Sequence, residues 1–597
     1  MKTNSKIFIL SCLAVLGLSA CSLDRTPNDP NTFMEFDKNA VFSKVYATLA
    51  MPGQTGPSGD SDVEGFDGGT SAFYRMIWEM NEFPTDEGIW IWGDPGVADV
   101  RIINWNSSND LVTALYNRLF INITVCNHFL DKTVGMTDAE TVQQRAEVRF
   151  IRAIYYYYLL DMFAAVPFSD HVSSEAPMPI KRPELFKWVV DELNDSEADL
   201  PAKRLNLYRV DKTAAQLLLA RLYLNAKVYL DLQDWAEAKP YLDKAADKAA
   251  QVMNSENYHL LTAETAHADG YTYSAYQKLF MGDNDVNGAQ NEGILMVYQD
   301  GAFSRAYGAA RFLHDMFRDA NWMPSGGTDS WTCFRTSPEF VEYFLDGQTY
   351  EIKTLKNAKG TADSITQVFM GGAPVLENEY TMPAKLGDDR AILCSSYTYQ
   401  SGNDTTIVAG EEVITPKYTT INWNFTGTMA ADIYGCWAPL KWTGIHSTAK
   451  TPADFVGQDA EWPDTDIPFL RVAEAYLTYA EAVFRGATAN NGTAEAAVKA
   501  LRDRAHNTTP FTLSEDFLLD EWAREFYCEG RRRTDLVRFG QFAGPTATRN
   551  WEGRGGAKQY SGMTPKKLDK KFNFFPLPEA DVTANKNLAG INAENGY

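Results

Sequence analysis

The chain has 597 residues, with 55 basic against 78 acidic side chains and a net charge of −23 at neutral pH. That balance argues against a nucleic-acid binder, which needs basic patches, and against a strongly anionic ligand. Aromatic residues make up 13% of the chain, with 14 Trp and 29 Tyr, a surplus over what one core needs that points to rings used at a surface.

At the N-terminus, Lys2 and Lys6 precede a short apolar run from Ile7 to Leu18. A membrane-spanning helix needs about 20 apolar residues, so this run reads as an export signal rather than as structure. It ends in Leu18-Ser19-Ala20-Cys21, which resembles a bacterial lipobox. The expectation is a signal peptide over residues 1–20, cleavage before Cys21, and lipidation of the Cys21 thiol. Residues 21–35 carry the Pro-, Asn- and Asp-rich stretch SLDRTPNDPNT and read as a flexible tether. The other mature cysteines, Cys126, Cys333, Cys394, Cys436 and Cys528, are odd in number and lack CxxC spacing, so neither a disulfide framework nor a zinc cluster is expected.

Next comes TDEGIWIWGD, Thr85 to Asp94. If it is extended, Trp90 and Trp92 point to one side, in a polar, turn-prone setting. Apolar residues then recur every three or four positions over Asp110–Leu130, Ala139–Phe163 and Arg182–Leu200, predicting three helices. Thr137-Asp138 offers caps to the second, and Pro183 suits the first turn of the third. Lys212–Leu230 and Asp234–Met253 follow as a pair. Their alanines, Ala215 and Ala220 against Ala238 and Ala245, let two helices approach closely, as in a tetratricopeptide-like hairpin. Phe469–Arg485 with Thr493–His506 repeats the theme, and a last helix is expected from about Leu518 to Gly530.

Between about residues 256 and 466 the helical pattern lapses into Gly, Asn, Asp, Thr and Ser, with strand-like pieces such as Glu292–Tyr298 and Thr405–Val408. Long irregular stretches of this kind usually carry function. Within it, Asp283-x-Asp285-x-Asn287-Gly288 has the oxygen spacing of a calcium loop without the Glu at its twelfth position, and Asp60-x-Asp62-x-Glu64-Gly65 is similarly incomplete. A structural calcium is the implied cofactor; no other is required.

Several blocks, in order, resemble the SusD/RagB family of outer-membrane nutrient-binding lipoproteins: AEVRFIRAIYYYYLLDMFAAVPF, AAQLLLARLYLNAK, NEGILMVY, FLRVAEAYLTYAEAVFRG, EWAREFYCEGRRRTDLVRFG and the closing FFPLPEADVTANKNLAGINAENGY. The departures, Ala164-Ala165 before the VP pair and Asn592-Ala593 in the tail, fall in structural positions. The resemblance implies a mainly α, SusD-like fold over residues 36–597: tetratricopeptide-like hairpins over about 36–255 and 467–545, supporting a large irregular, loop-rich half with short strands over about 256–466. It also implies binding without catalysis: capture of a neutral oligosaccharide or polysaccharide at the cell surface, and delivery to a SusC-like TonB-dependent transporter.

Two segments fall where the resemblance places ligand. The first is Thr85–Asp94, with Trp90 and Trp92 as stacking rings and Asp86, Glu87 and Asp94 as hydroxyl partners. The second is Asn321–Phe344, with Trp331, then Trp322, as further rings and Arg335 as a hydrogen-bonding fork. Indole planes match the C–H face of a sugar, and polar side chains match its hydroxyl edge. Tyr298, Tyr307, Trp423, Tyr434 and Trp437 are further aromatic residues in loops. Arg149, Arg152, Glu474, Glu481, Arg524, Glu529 and Arg531 read as interhelical ion pairs, and the Tyr155–Tyr158 run covers all faces of its helix.

No GxSxG, HExxH, Walker or Rossmann motif is present, and there are seven histidines, none paired at a metal spacing. The alternatives are a SusD-like peptide binder, which would lean on backbone hydrogen bonds, and a surface glycoside hydrolase, which needs two carboxylates at a set separation.

Overall fold

A computed structural model describes residues 36–53, 61–90, 92–268, 272–301, 304–316, 331, 333–336, 340, 343–344, 353–355, 365–367, 369–370, 387–394, 396–408, 411–422, 438–449, 461–551, 554 and 566–597. In chain order its main elements are α1 (Lys38–Ala47), α2 (Phe73–Glu82), β1 (Gly88–Trp90), α3 (Asp110–Lys132), α4 (Ala139–Met162), α5 (Arg182–Glu197), α6 (Lys212–Leu224), α7 (Trp235–Met253), β2 (Gly293–Val297), α8 (Ala310–Asp315), β3 (Phe334–Thr336), β4 (Ser396–Val408), β5 (Glu411–Asn422), β6 (Ile467–Arg471), α9 (Ala473–Phe484), α10 (Ala494–Arg504), α11 (Glu515–Phe526) and α12 (Arg532–Arg538).

The helices begin where polar caps put them. The side chains of Asn109, Asp138, Asp234, Thr493 and Ser514 each accept a backbone N–H from the first turn of the helix that follows. The helices pack against one another: α3 on α4, α4 on α5, α6 on α7, α7 on α9, and α9 on α10. Ala215, Ala220, Ala238 and Ala245 are all buried, and α6 packs on α7. Asn225 ends α6 earlier than the periodicity suggests, and a short turn of helix, Ala226–Tyr229, completes that stretch.

One expected helix start is corrected. Phe469–Arg471 lies in β6, which pairs antiparallel with β2 (Ile467 opposite Val297), and the helix begins only at Ala473. Pro468 is the reason: it disfavours a helical Ile467 and removes its own N–H, so the run is extended and pairs with the strand-like Gly293–Val297. Thr405–Val408 lies at the end of β4, which forms a long antiparallel hairpin with β5.

Buried charge ties the irregular half to the helices. Arg390 donates to Asp388 and Glu521; Arg471 reaches Glu292, Glu525 and Glu529; Arg504 reaches Glu292 and Glu525. All but the half-buried Glu529 are essentially sealed from water. Burial alone would raise the carboxyls of Glu521 and Glu525, but the surrounding guanidiniums outweigh it and push both down to about 2. The expected ion pairs form as well: Arg149 and Arg152 with Glu192, Glu474 with Arg221 and Arg531, Glu481 with Arg485 and Arg538, Arg524 with Glu521, and Glu529 with Arg471. Tyr155 to Tyr158 are all core, with the Tyr155 hydroxyl on Thr48 and the Tyr156 hydroxyl on the Ser169 carbonyl. Cys126, Cys333 and Cys528 are free and buried.

Candidate functional site: an aromatic shelf

The two segments singled out for ligand are sewn together by backbone. β1 pairs antiparallel with β3, with Gly88 opposite Thr336, Ile89 opposite Arg335 and Trp90 opposite Phe334. The ladder requires Gly88: a Cβ there would sit 2.1 Å from the Phe334 ring and 2.6 Å from the Arg335 carbonyl oxygen. Continuing past Trp90 on one strand and back past Phe334 on the other brings Trp92 beside Trp331, ring centroids 6.1 Å apart.

Trp331 in turn lies nearly parallel to Tyr307, with 9° between the planes and 6.2 Å between centroids. Tyr307 meets Trp462 edge-on at 5.1 Å. The result is a row of rings, Trp92, Trp331 and Tyr307, ending against Trp462. Trp92 is 43% exposed, Trp331 and Tyr307 are half-buried, and Trp462 is nearly closed off.

The row is backed by guanidinium groups. Arg311, itself buried, lies 4.5 Å over the Tyr307 ring and 4.3 Å over the Trp462 ring, and donates to Glu461 at 2.7 Å. Arg75 lies 4.7 Å over Phe312, which abuts Trp331 and Trp90. The loop carrying Tyr307 seats on the start of α2 through Gly308, where a Cβ would stand 2.0 Å from the Ala72 Cβ and 2.9 Å from the Gly69 carbonyl oxygen. On that side Asp67 is exposed; burial of part of its carboxyl raises it, but bonds from the Thr70 backbone and hydroxyl prevail and hold it below the ordinary range.

Several expected ligand contacts are corrected by burial. Trp90 is fully buried: Phe83 and Phe312 cover it, its indole N–H donates to Asp94 at 3.1 Å, and Arg101 donates to its carbonyl. It is the floor on which the Trp92 edge rests, 5.9 Å away at 71°. Asp94, half-buried, is therefore engaged in holding that floor. Asp86 is sealed as well, accepting two bonds from Arg532 and one from the Tyr343 hydroxyl; burial would raise it, but Arg532 outweighs burial and lowers it. Glu87 is buried beneath the loop and accepts the Cys528 N–H. Arg335 is buried and donates to the Phe334 carbonyl, so its fork faces inward. Trp322, Trp423, Tyr434 and Trp437 lie outside the described residues.

The shelf therefore offers partly open aromatic rings to a flat, partly apolar ligand, with Gly69 lying between the Asp67 carboxylate and Tyr307. The carboxyls driven toward neutrality beneath it, Glu79 and Glu87 at about 7 through burial, are closed off from anything lying on the rings.

A model of the SusD family matches residues 282–597, and a second, described as starch-binding associating with outer membrane, matches residues 85–224. The chain is 38% identical to the starch-binding protein SusD of Bacteroides thetaiotaomicron over 607 aligned positions, covering 99% of each chain. The chain belongs to the SusD family. In structure it is similar to a SusD superfamily protein from Parabacteroides distasonis, with a TM-score of 0.61, 17% identity and 92% and 97% of the two chains covered. It is also similar to surface glycan-binding protein A from Bacteroides thetaiotaomicron, solved with laminarihexaose, with a TM-score of 0.58, 14% identity and 92% and 98% covered. These two likenesses show the mainly α SusD fold. No helix among the described residues is long and apolar enough to cross a membrane.

Within this SusD-family fold the calcium motif is divided. Both Asp283 carboxylate oxygens are taken by Ser447, through its N–H and hydroxyl, with Asn287 donating to one of them. The Asn287 side-chain oxygen accepts the Ala289 N–H. These two residues shape the turn. Asp285 is raised by burial first and then by the Asp283 and Asp464 carboxylates, against a lowering by His446, and Asp466 is raised by burial first and then by Asp285 and Asp464. Asp466 Oδ2 is buried with no hydrogen-bond partner. Carboxylates crowded in this way, with a buried oxygen that no hydrogen bond satisfies and with His446 against Asp464, would have to draw closer together to hold a hard divalent cation. In the second loop, Asp62 pairs with Lys44 at 2.9 Å, and Asp60 lies outside the described residues.

Trp462, Arg311 and Phe312 were not legible as site residues. Trp462 carries the same signal as the early pair, an indole beside an acid in a polar stretch (Glu461-Trp462-Pro463-Asp464).

Proposed function

We propose that this SusD-family chain is a cell-surface glycan-binding lipoprotein. It captures a neutral oligosaccharide or polysaccharide by stacking sugar rings on Trp92, Trp331 and Tyr307, and delivers it to a SusC-like TonB-dependent outer-membrane transporter without cleaving it. The observation that carries the reading is the solvent-open indole of Trp92 running on to Trp331 and Tyr307 over a rigid, guanidinium-backed base. Flat rings held in advance cost little ordering when a sugar lands on them.

An α-glucan of the starch type is the first ligand to test, because a relative 38% identical over nearly the whole chain is a starch-binding protein. Lipidation of Cys21 after signal cleavage would hold the protein at the outer membrane, with residues 21–35 as the tether. Calorimetry with maltooligosaccharides, and in parallel with β-glucans and xyloglucan fragments, tests the ligand class. Binding to none of them, or release of reducing ends from any, defeats the reading.

For the cofactor, we place a structural calcium at Asp285, Asp464 and Asp466 rather than at Asp283 and Asn287. Chelation by EGTA then lowers the melting temperature, and Asp466→Asn abolishes that response.

A further inference from the structure

Three side chains remote in sequence and sharing no residue with the shelf meet at the end of α10. His506 Nδ1 lies 2.7 Å from Asp389 Oδ2 and 3.7 Å from Glu264 Oε1. All three candidate ligand atoms lie within 4.8 Å of one another. The Asp389 carboxylate is 3% exposed, while His506 and Glu264 are open to solvent. We propose that Glu264, Asp389 and His506 form a binding site for a first-row divalent metal ion, with Zn²⁺ as the first case.

The chemistry of the donors supports the assignment. One imidazole nitrogen, a borderline donor, and two carboxylate oxygens are ligands that Zn²⁺ accepts, at about 2.0 to 2.2 Å from the metal. Around a tetrahedral ion such ligands stand roughly 3.4 Å apart, so the three atoms need shifts of about 1 Å or less, with water filling the open position. The imidazole is what separates this group from an ordinary acidic patch: it prefers a transition ion to calcium or magnesium.

The backbone holds the ligands in place beforehand. The Asp389 N–H donates to the Ala505 carbonyl at 2.8 Å, and the Asn507 side-chain amide donates to Asp388 at 2.9 Å. The residues on either side of His506 are thus tied to the segment that carries Asp389, and Asn507 is itself gripped by Arg502. A metal ion at Nδ1 needs that nitrogen's lone pair, with the ring proton on Nε2, so protons compete with the ion and affinity falls in acid. The bound ion would clip the irregular half, which supplies Glu264 and Asp389, to the helical body at α10.

The test uses the full chain stripped with EDTA and titrated with Zn²⁺ alone, by calorimetry and by thermal melting. The control variant is His506→Gly. His506 has φ of +54°, a conformation that favours glycine, so this change removes the imidazole without straining the chain. Glu264→Gln removes a second ligand at an exposed position. The expected result is one equivalent of Zn²⁺ bound with a rise in melting temperature. Affinity should weaken by at least about tenfold in either variant, the scale that even supporting groups of a metal site are worth. Glycan affinity should be the same in all three proteins. Absence of Zn²⁺ binding by the unaltered chain, or equal binding by His506→Gly, overturns the proposal.

Discussion

Trp92 and Trp331 lie 6.1 Å apart although 239 positions separate them in sequence, because the antiparallel pairing of Trp90 with Phe334 delivers both to the same end of a two-stranded ladder. One short ladder thereby joins an early loop to the irregular half and builds a binding surface that neither segment holds alone. Replacing Trp92, Trp331 or Tyr307 by alanine should cost about 1 to 3 kcal/mol of glycan affinity each, with little change in folding stability. Trp90→Ala should behave differently, losing about 3 to 5 kcal/mol of stability as a core aromatic does. Calorimetry and urea denaturation on the four variants separate the two effects. Unchanged affinity in all three shelf variants would remove the shelf from the binding site.

How far the sequence foretold this depends on the range of the interactions. The long helices were legible because apolar spacing and polar caps are local signals; Asp138 caps α4 as its position suggested. Trp92 and Trp331 stood out as indoles in polar surroundings. The different fates of Trp90 and Trp92 were not legible. Strand alternation puts both on one side, but Phe83 and Phe312 decide which is covered, and Phe312 comes from far along the chain. Asp86 and Arg335 looked like surface polar groups for the same reason: their burial, and for Asp86 the partner Arg532, is set by segments that no local pattern links to them.

Arg311 should act on ligand without touching it. Its guanidinium lies against both Tyr307 and Trp462, fixing the angle at which the Tyr307 face meets Trp331. Arg311→Leu should lower glycan affinity by about 0.5 to 2 kcal/mol, the worth of such a cation–ring contact, while Arg311→Lys retains part of it. If the leucine variant binds as tightly as the parent, the ring is held by its other neighbours and the guanidinium is incidental.

The Tyr307 loop also depends on a missing side chain. At Gly308 a Cβ would collide with the Ala72 Cβ at 2.0 Å, so Gly308→Ala should push the loop off α2 and cost about 1 to 3 kcal/mol of stability, together with glycan affinity. Adding Ala72→Gly should restore part of both losses, and only part, since the Gly69 carbonyl oxygen remains 2.9 Å from the new methyl. A double variant no better than the single one, in melting temperature and in binding, would mean that the clash is not what displaces the loop.

Stability should fall on both sides of a maximum, for opposite reasons. Glu521 and Glu525 are pushed down to about 2 from an ordinary 4.5, so the stability they contribute is present above about pH 4.5 and lost as pH falls toward 2. Beneath the shelf the sign reverses. Glu82 and Glu87 are buried together: burial raises both, and the Glu87 charge adds to the rise of Glu82, leaving Glu87 at about 7 and Glu82 well above its ordinary value. The fold keeps a proton that the unfolded chain has released by then, so this contribution is present below about pH 4.5 and lost as pH rises through about 7. Glu87→Gln keeps an oxygen for the Cys528 N–H and removes the titration. Between pH 5 and pH 8 the parent should therefore lose about 1 to 3 kcal/mol more stability than the variant, as read by urea denaturation at the two pH values. Equal losses in the two proteins would show that the Glu87 carboxyl does not shape the alkaline arm, and would leave the loop under Trp92 anchored by the Asp86–Arg532 pair.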